Sequence, residues 1–204
     1  MITKETQVKL TPKEALNLLK EGNQRFVKNK KNSHDLWTEV QGTTEGQWPL
    51  AVLLSCIDSR TSSELIFDLG IGDIFSARLA GNVVNEDVLG SMEYACKVAG
   101  SKLVVVLGHT KCGAVTSACK KVELGNITAL LSKIQPAVKK VEATVKDIES
   151  PESVQLVADE NVKMTIEQIR KNSPILAEME QKGEIKIVGG MYDISNGKVS
   201  FFKN

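Results

Sequence analysis

The chain has 204 residues, and its 26 lysines and arginines against 25 aspartates and glutamates leave a formal net charge of +1. This length fits one large domain at about 150 residues per domain, and a hydrophobic content of 42% with 25% charged residues is typical of a globular protein. The balanced charge and the 4% aromatic content argue against a nucleic-acid partner, and no apolar run approaches the ~18 residues that a membrane helix needs.

The amino-terminal residues predict a capped helix that forms an arm. Residues 1–10 mix charged and polar residues with single apolar ones, so they lack the apolar core of a signal peptide, and a cytoplasmic location is expected. Thr11, Pro12 and Glu14 then form a capping box with proline in the first helical turn. The helix is predicted to run to about residue 29.

A polar connection is predicted to follow this helix. Residues 28–47 contain a run of lysines among other polar residues and are interpreted as a solvated surface segment. His34 lies in this segment and is interpreted as a surface histidine. Gly22, inside the preceding helix, is interpreted as a tolerated helix glycine.

From residue 50 onward, short apolar stretches alternate with helical patterns. The predicted strands are residues 50–56, 74–79, 103–107, 185–188 and 199–202. The third is the clearest, because three consecutive valines lie between two glycines. The turn signal Ser-Asn-Gly before the last strand predicts an antiparallel hairpin.

The alternation of strands and helices along the chain predicts the fold class. The helical patterns are residues 88–98, 114–122, 127–148 and 153–169. Buried strands separated by helices predict an α/β fold with a central mostly parallel β-sheet, about four parallel strands plus an antiparallel edge strand, flanked by helices. We assign residues 1–204 to a single domain, with 1–48 as a helical arm and connection and 49–204 as the α/β core.

Three potential metal ligands follow two of the buried strands. Cys56 comes directly after the first predicted strand, and His109 and Cys112 come directly after the third. Ligand sites in open α/β sheets form beyond the carboxyl ends of the strands, so these side chains converge if the two strands are neighbours. Two thiolates and one imidazole suit Zn²⁺, and three protein ligands leave the fourth position for water, as in catalytic sites.

The alternative interpretation of each cysteine is simple packing. A cysteine at a strand end is usually a small core hydrophobe, and His-x-x-Cys alone occurs in many unrelated chains. Cys96 and Cys119 lie within helical patterns and are interpreted as packing residues. Four cysteines are too few for a disulfide scaffold.

Two charged residues, Asp58 and Arg60, lie two and four positions after Cys56. Asp58 is close enough to Cys56 to bind a metal itself and close the fourth position. Arg60 can instead hold Asp58 in a bidentate ion pair, which keeps the carboxylate ionised and free to accept a hydrogen bond from zinc-bound hydroxide. A purely structural ion pair that braces the loop is the alternative.

The Cys-x-Asp-Ser-Arg and His-x-x-Cys-Gly elements together resemble the β-class carbonic anhydrases. Further elements follow the family order over most of the chain: Gly-Asn-x-Arg-Phe at 22–26, Ala-Gly-Asn at 80–82, Ser-Met-Glu-Tyr-Ala at 91–95, Glu-Asn-Val at 160–162 and Gly-Gly-Met-Tyr-Asp at 189–193. The resemblance implies a carbonate dehydratase, which hydrates CO₂ reversibly to bicarbonate and a proton by attack of zinc-bound hydroxide. It implies one Zn²⁺ per subunit, held by Cys56, His109 and Cys112, with Asp58 and Arg60 as the catalytic pair.

The resemblance also implies a substrate site shared between subunits. Gln47, Phe75, Tyr94 and Gly113 match the family's substrate-binding positions, and the amide of Gln47 would donate to an oxygen of CO₂ or bicarbonate. In the family, the glutamine and the residues that Phe75 and Tyr94 resemble come from the partner subunit. A homodimer is therefore the smallest complete unit that the resemblance implies, and a tetramer stays open.

Departures from the family pattern refine these expectations. A closed form of the family, with the aspartate on the metal, has tryptophan three residues before the first cysteine. Leu53 stands at that position here and Gln47 is present, so we predict the open form near neutral pH. Ile57 and Leu79 also depart from the usual residues, and they are expected to affect rate rather than reaction class.

Two other functions stay open at this point. The first is hydrolysis of another small heterocumulene, COS or CS₂, at the same zinc site. The second is a non-catalytic zinc-binding protein, which the presence of both Asp58 and Arg60 argues against. A nucleotide-binding module is disfavoured, because no Gly-x-Gly-x-x-Gly or Walker-type loop follows a predicted strand.

Overall fold

Short apolar stretches form the sheet at the centre of the molecule. The computed structural model describes residues 2–203. The strands are β1 (Ala51–Ser55), β2 (Ile74–Arg78), β3 (Leu103–His109), β4 (Lys186–Tyr192) and β5 (Val199–Phe201). They lie in the order β2-β1-β3-β4-β5, with β5 antiparallel to β4 and all other neighbours parallel. The predicted mostly parallel sheet with an antiparallel edge strand is confirmed.

Helices cover both faces of this sheet. They are α1 (Lys4–Lys9), α2 (Pro12–Val27), α3 (Leu36–Gly42), α4 (Ser63–Ile66), α5 (Glu86–Glu93), α6 (Gly113–Cys119), α7 (Gly125–Leu131), α8 (Gln135–Glu142), α9 (Pro151–Asn172) and α10 (Pro174–Gln181). Within residues 2–203, no helix has both the length and the apolar character needed to cross a bilayer.

The two central strands are buried along their whole length. Every residue of β1 and of β3 is buried, which explains why both read as continuous apolar runs rather than as alternating patterns. Leu53 and Val105 pack with Leu19 of α2 on one face of the sheet. Val104 packs with Val162 of α9 on the other face. Since β1 and β3 are parallel neighbours, their carboxyl ends meet at one edge of the sheet.

The helical predictions are partly confirmed. Thr11 and Glu14 form the predicted capping box, and α2 ends at Val27 rather than near residue 29. The single helix predicted over residues 127–148 is wrong, because α7 ends at Leu131 and α8 starts at Gln135 with Pro136 in its first turn. Proline suits the first turn of a helix but not its interior, so one continuous helix is disfavoured here. The helical pattern over residues 88–98 continues beyond α5 as one π-helical turn.

The region before the sheet contains a helix that the sequence analysis missed. Helix α3 begins at Leu36, and its N-cap Asp35 accepts a hydrogen bond from the backbone N–H of Thr38 through its carboxylate. Three of its apolar side chains are exposed, namely Leu36, Trp37 and Val40. The predicted surface connection is therefore partly helical, and α3 presents apolar residues outwards.

Gly22 is required where α2 crosses the turn after α4. A Cβ built on Gly22 would overlap the carbonyl oxygen of Phe67.

Gly22→Ala is therefore expected to lower the free energy of unfolding by about 2 kcal/mol, although alanine is the better helix former. Denaturant unfolding measures the change. Glu21→Ala, at the exposed neighbouring position, is the control and should change stability by less than about 0.5 kcal/mol. An unchanged midpoint for Gly22→Ala would contradict the close contact.

Candidate metal centre

Two cysteines and a histidine meet where β1 and β3 end. Cys56 directly follows β1, His109 is the last residue of β3, and Cys112 precedes α6 as its N-cap. Their ligand atoms all lie within 4.8 Å of one another, and all three residues are buried. The two sulfur atoms are 4.0 Å apart. The parallel pairing of β1 with β3 is what brings together residues that are distant in sequence.

The imidazole of His109 carries a free lone pair inside this cluster. Its Nδ1 lies 3.0 Å from the carbonyl oxygen of Thr110. A carbonyl can only accept, so Nδ1 carries the proton and Nε2 keeps the lone pair. Nε2 is buried and has no hydrogen-bond partner among residues 2–203. A buried, unpartnered nitrogen beside two thiols fits a thiophilic divalent metal such as Zn²⁺.

The Cys56 thiol differs in acidity from the three other cysteines. The Cys112 thiol donates a hydrogen bond to Cys56 Sγ, and the backbone N–H of Gly81 donates a second one at 3.4 Å. Both hydrogen bonds stabilise the Cys56 thiolate and so lower the pKa of Cys56. The first of these hydrogen bonds, together with burial, raises the pKa of Cys112. Burial raises the pKa of Cys96 to about 12 and also raises the pKa of Cys119. Both of these cysteines lie in the apolar core, as predicted for packing residues.

Asp58 and Arg60 form a bidentate ion pair beside the cluster. Arg60 donates from Nε to Oδ1 at 2.9 Å and from Nη2 to Oδ2 at 2.7 Å, and its backbone N–H donates to Oδ1 at 3.0 Å. These hydrogen bonds hold the pKa of Asp58 well below its usual range. Asp58 Oδ2 lies 4.0 Å from His109 Nε2. Among residues 2–203, the ligand atoms that lie within 4.8 Å of one another belong to Cys56, His109 and Cys112. The Asp58 carboxylate is not part of this group.

Two further polar residues hold the backbone around the cluster. Arg78, at the end of β2, donates from Nε to the carbonyl of Cys56 at 3.2 Å and from Nη2 to the carbonyl of Asp58. Asn161, buried on α9, donates to the carbonyl of Gly81 at 2.7 Å. No site role is predicted from the sequence for either residue. The available signals were an arginine ending the neighbouring strand and a lone asparagine on the apolar face of a helix.

The predicted substrate residues lie in three different places. Gly113 begins α6 directly after Cys112, with no atom within 4 Å of an added Cβ. Phe75 and Tyr94 are in edge-to-face contact, with ring centroids 6.3 Å apart. They line a cavity of about 690 Å³ beside the edge strand β2. Gln47 is exposed and precedes β1, whereas Cys56 follows it. Because a five-residue strand spans about 16 Å, Gln47 and the cluster lie at opposite ends of β1 in one subunit.

Comparison with known proteins gives concordant matches. A family model described as carbonic anhydrase matches residues 51–199. The chain is 35% identical over 190 residues to carbonic anhydrase 2 of Mycobacterium tuberculosis, covering 92% of this chain and 91% of that protein. It is 33% identical over 198 residues to a carbonic anhydrase of Mycolicibacterium smegmatis, covering 92% of each. The fold is similar to the crystal structure of the β-carbonic anhydrase CafA of Aspergillus fumigatus, with a TM-score of 0.71, 27% identity, and coverage of 94% of this chain and 90% of that chain.

Proposed function

Because the chain belongs to the β-class carbonic anhydrase family and is a carbonate dehydratase, we propose that it hydrates CO₂ reversibly at a Zn²⁺ ion held by Cys56, His109 and Cys112. The observation that carries this proposal is the buried Nε2 of His109, which has no hydrogen-bond partner within residues 2–203, in a residue whose ligand atom lies within 4.8 Å of both sulfur atoms. Zn²⁺ bound there would lower the pKa of water from about 15.7 to about 7 and so supply the nucleophile.

Asp58 and Arg60 then act on the reacting water. The ion pair keeps Asp58 ionised at neutral pH, because Arg60 lowers its pKa. An ionised carboxylate can only accept hydrogen bonds. Asp58 Oδ2, at 4.0 Å from His109 Nε2, would accept a hydrogen bond from the water and direct the oxygen lone pair towards CO₂. Arg60 fixes the orientation of that carboxylate through its two parallel hydrogen bonds.

CO₂ hydration itself is tested by stopped-flow mixing of the zinc-loaded protein with CO₂ and a pH indicator. We expect proton release well above the uncatalysed rate, saturating with CO₂ concentration. Parallel assays with COS and CS₂ measure the alternative substrates, which we expect to react much more slowly. A zinc-loaded protein that turned over CS₂ or COS but not CO₂ would contradict the proposed function.

Substrate binding is proposed to need a second subunit. Gln47 lies at the far end of β1 from the metal centre of its own chain, so it would donate its amide to substrate in the partner's site. The exposed apolar residues of α3, and Tyr94 with 54% exposure beside Phe75, would be covered by that partner. We propose that the dimer is the smallest active form.

A mixing experiment tests the contribution across subunits. Gln47→Ala is expected to lower kcat/KM for CO₂ by tenfold to a hundredfold, roughly the value of a hydrogen bond to a charged group. Cys112→Ala removes a metal ligand but leaves Gln47 intact. Refolding the two variants together should restore about a quarter of wild-type activity, because half of the dimers are mixed and each mixed dimer has one complete site. No recovery in a sample shown to contain mixed dimers would contradict a role across subunits.

A further inference from the structure

A second group of charged side chains lies outside the metal centre. This arm cluster consists of Arg25 on α2, His34, Glu39 on α3 and Asp68 after α4. Arg25 Nε lies 2.6 Å from Asp68 Oδ2, and His34 Nδ1 lies 2.7 Å from Glu39 Oε1. His34 Nε2 lies 3.5 Å from Asp68 Oδ1. Both carboxylate residues are buried, and the His34 side chain is only 23% exposed, so the interpretation of His34 as a surface histidine is wrong.

The arm cluster fixes α3 on the turn between α4 and β2. Glu39 Oε2 accepts a hydrogen bond from the backbone N–H of Ile71 at 2.9 Å. The Glu39 carboxylate also lies so close to Gly70 that a Cβ there would be 2.6 Å from Oε1. Asp68 accepts hydrogen bonds from the backbone N–H of Asn32 at 3.1 Å. His34 therefore lies between a carboxylate of α3, to which Nδ1 is hydrogen-bonded, and a carboxylate of the core, with which the protonated ring forms an ion pair through Nε2 at 3.5 Å.

The same turn supports the segment that carries Gln47. Thr43, at the end of α3, packs on Gly72, where an added Cβ would lie 2.8 Å from the threonine methyl group. Gly72 has a φ of +85°, a conformation that suits glycine. Ile71 and Gly72 also line one cavity with residues 43–47. A shift of α3 on this turn would therefore displace Thr43, which lies four residues before Gln47.

We propose that His34 is a positioning residue for CO₂ hydration, because by joining Glu39 to Asp68 it holds α3 on the turn and sets the position of Gln47. This inference rests on the proposed role of Gln47 in the partner's site. His34 does not touch substrate in this scheme. It acts through the hydrogen bonds of Glu39 and the packing of Thr43.

The charges around His34 predict the pH range in which it acts. It faces Glu39 from α3 and Asp68 from the core, and Arg25 from α2 neutralises Asp68. The exposed Lys31 and the half-buried Glu64 line the adjoining cavity with it. The hydrogen bond with Glu39 raises the pKa of His34. The contribution of the protonated ring is therefore complete below the ordinary histidine pKa of about 6.5, and it is lost as pH rises through the raised value.

A double-mutant cycle of the zinc-loaded enzyme tests the proposal. His34→Ala is expected to lower kcat/KM for CO₂ by about fivefold, and to have no further effect in the Gln47→Ala background. The ratio of wild-type to His34→Ala activity should fall towards one as pH is raised. Zinc content and the thermal midpoint are measured for each variant, so that loss of folded protein is corrected for. His34→Gln, which keeps a donor towards Glu39, should recover part of the loss, and it replaces His34→Ala in the cycle if that variant fails to fold.

The outcomes separate this inference from the proposed function. Equal losses in the wild-type and Gln47→Ala backgrounds would overturn the positioning role alone, and so would a pH-independent ratio. An unaltered kcat/KM for His34→Ala would overturn it as well. A Gln47→Ala variant with wild-type kcat/KM would instead contradict the proposed role of Gln47, and the inference about His34 would fall with it.

Discussion

Cys112→Ala is expected to lose zinc and CO₂ hydration together. The substitution leaves Cys56 and His109 as the remaining donors, and two protein ligands do not form the three-ligand catalytic zinc sites found in proteins. The sulfur removed is buried and lies 4.0 Å from the sulfur of Cys56, and no other cysteine belongs to the cluster within residues 2–203. Zinc content by mass spectrometry and stopped-flow hydration are measured on the same preparation.

Cys119→Ala provides the matched control for this result. Cys119 is also buried, at the other end of α6, but within residues 2–203 it does not belong to the group of ligand atoms that lie within 4.8 Å of one another. Its replacement should cost about 1 kcal/mol of stability and leave zinc content and turnover at wild-type levels. If Cys112→Ala retained one zinc per chain with full turnover, the assignment of the ligand set would be wrong.

Asp58→Ala is expected to keep zinc and lose turnover by about a hundredfold to a thousandfold, the range found when one positioned electrostatic group is removed. The carboxylate is not among the mutually close ligand atoms, so metal content should stay unchanged. The loss should appear in kcat, because Asp58 acts on the reacting water rather than on CO₂.

Asp58→Asn and Arg60→Ala separate charge from orientation. Asparagine keeps the size of the side chain but lacks the ionised acceptor, so Asp58→Asn should lose nearly as much turnover as alanine. Arg60→Ala lets the pKa of Asp58 rise towards the ordinary value of about 3.9, which still leaves the carboxylate ionised at pH 7. Arg60→Ala should therefore lose less turnover than Asp58→Ala. Wild-type turnover in Asp58→Ala with normal zinc content would assign Asp58 a structural role only.

The sheet and the metal cluster were predictable because their signals are local. Continuous apolar runs mark β1 and β3 as buried strands, and the rule that ligand sites lie beyond the carboxyl ends of parallel strands then brings Cys56 and His109 together. The sequence does not show whether β1 and β3 are neighbours. The observed strand order places them side by side.

Features that depend on tertiary contacts were not predictable. Helix α3 was missed because Trp37 and its apolar neighbours face outwards. They therefore do not form the apolar face, packed on the core, by which an amphipathic helix is predicted from a sequence. His34 was misread because Asp68, one of its partners, lies far along the sequence and reaches it only through the packing of α4.

Titration of metal-free protein with Zn²⁺, with CO₂ hydration measured by stopped flow at each point, tests the account most directly. Activity should rise in proportion to bound zinc and level off at one ion per chain. Full activity before zinc is added, or no activity once one ion per chain is bound, would contradict a catalytic centre built from Cys56, His109 and Cys112.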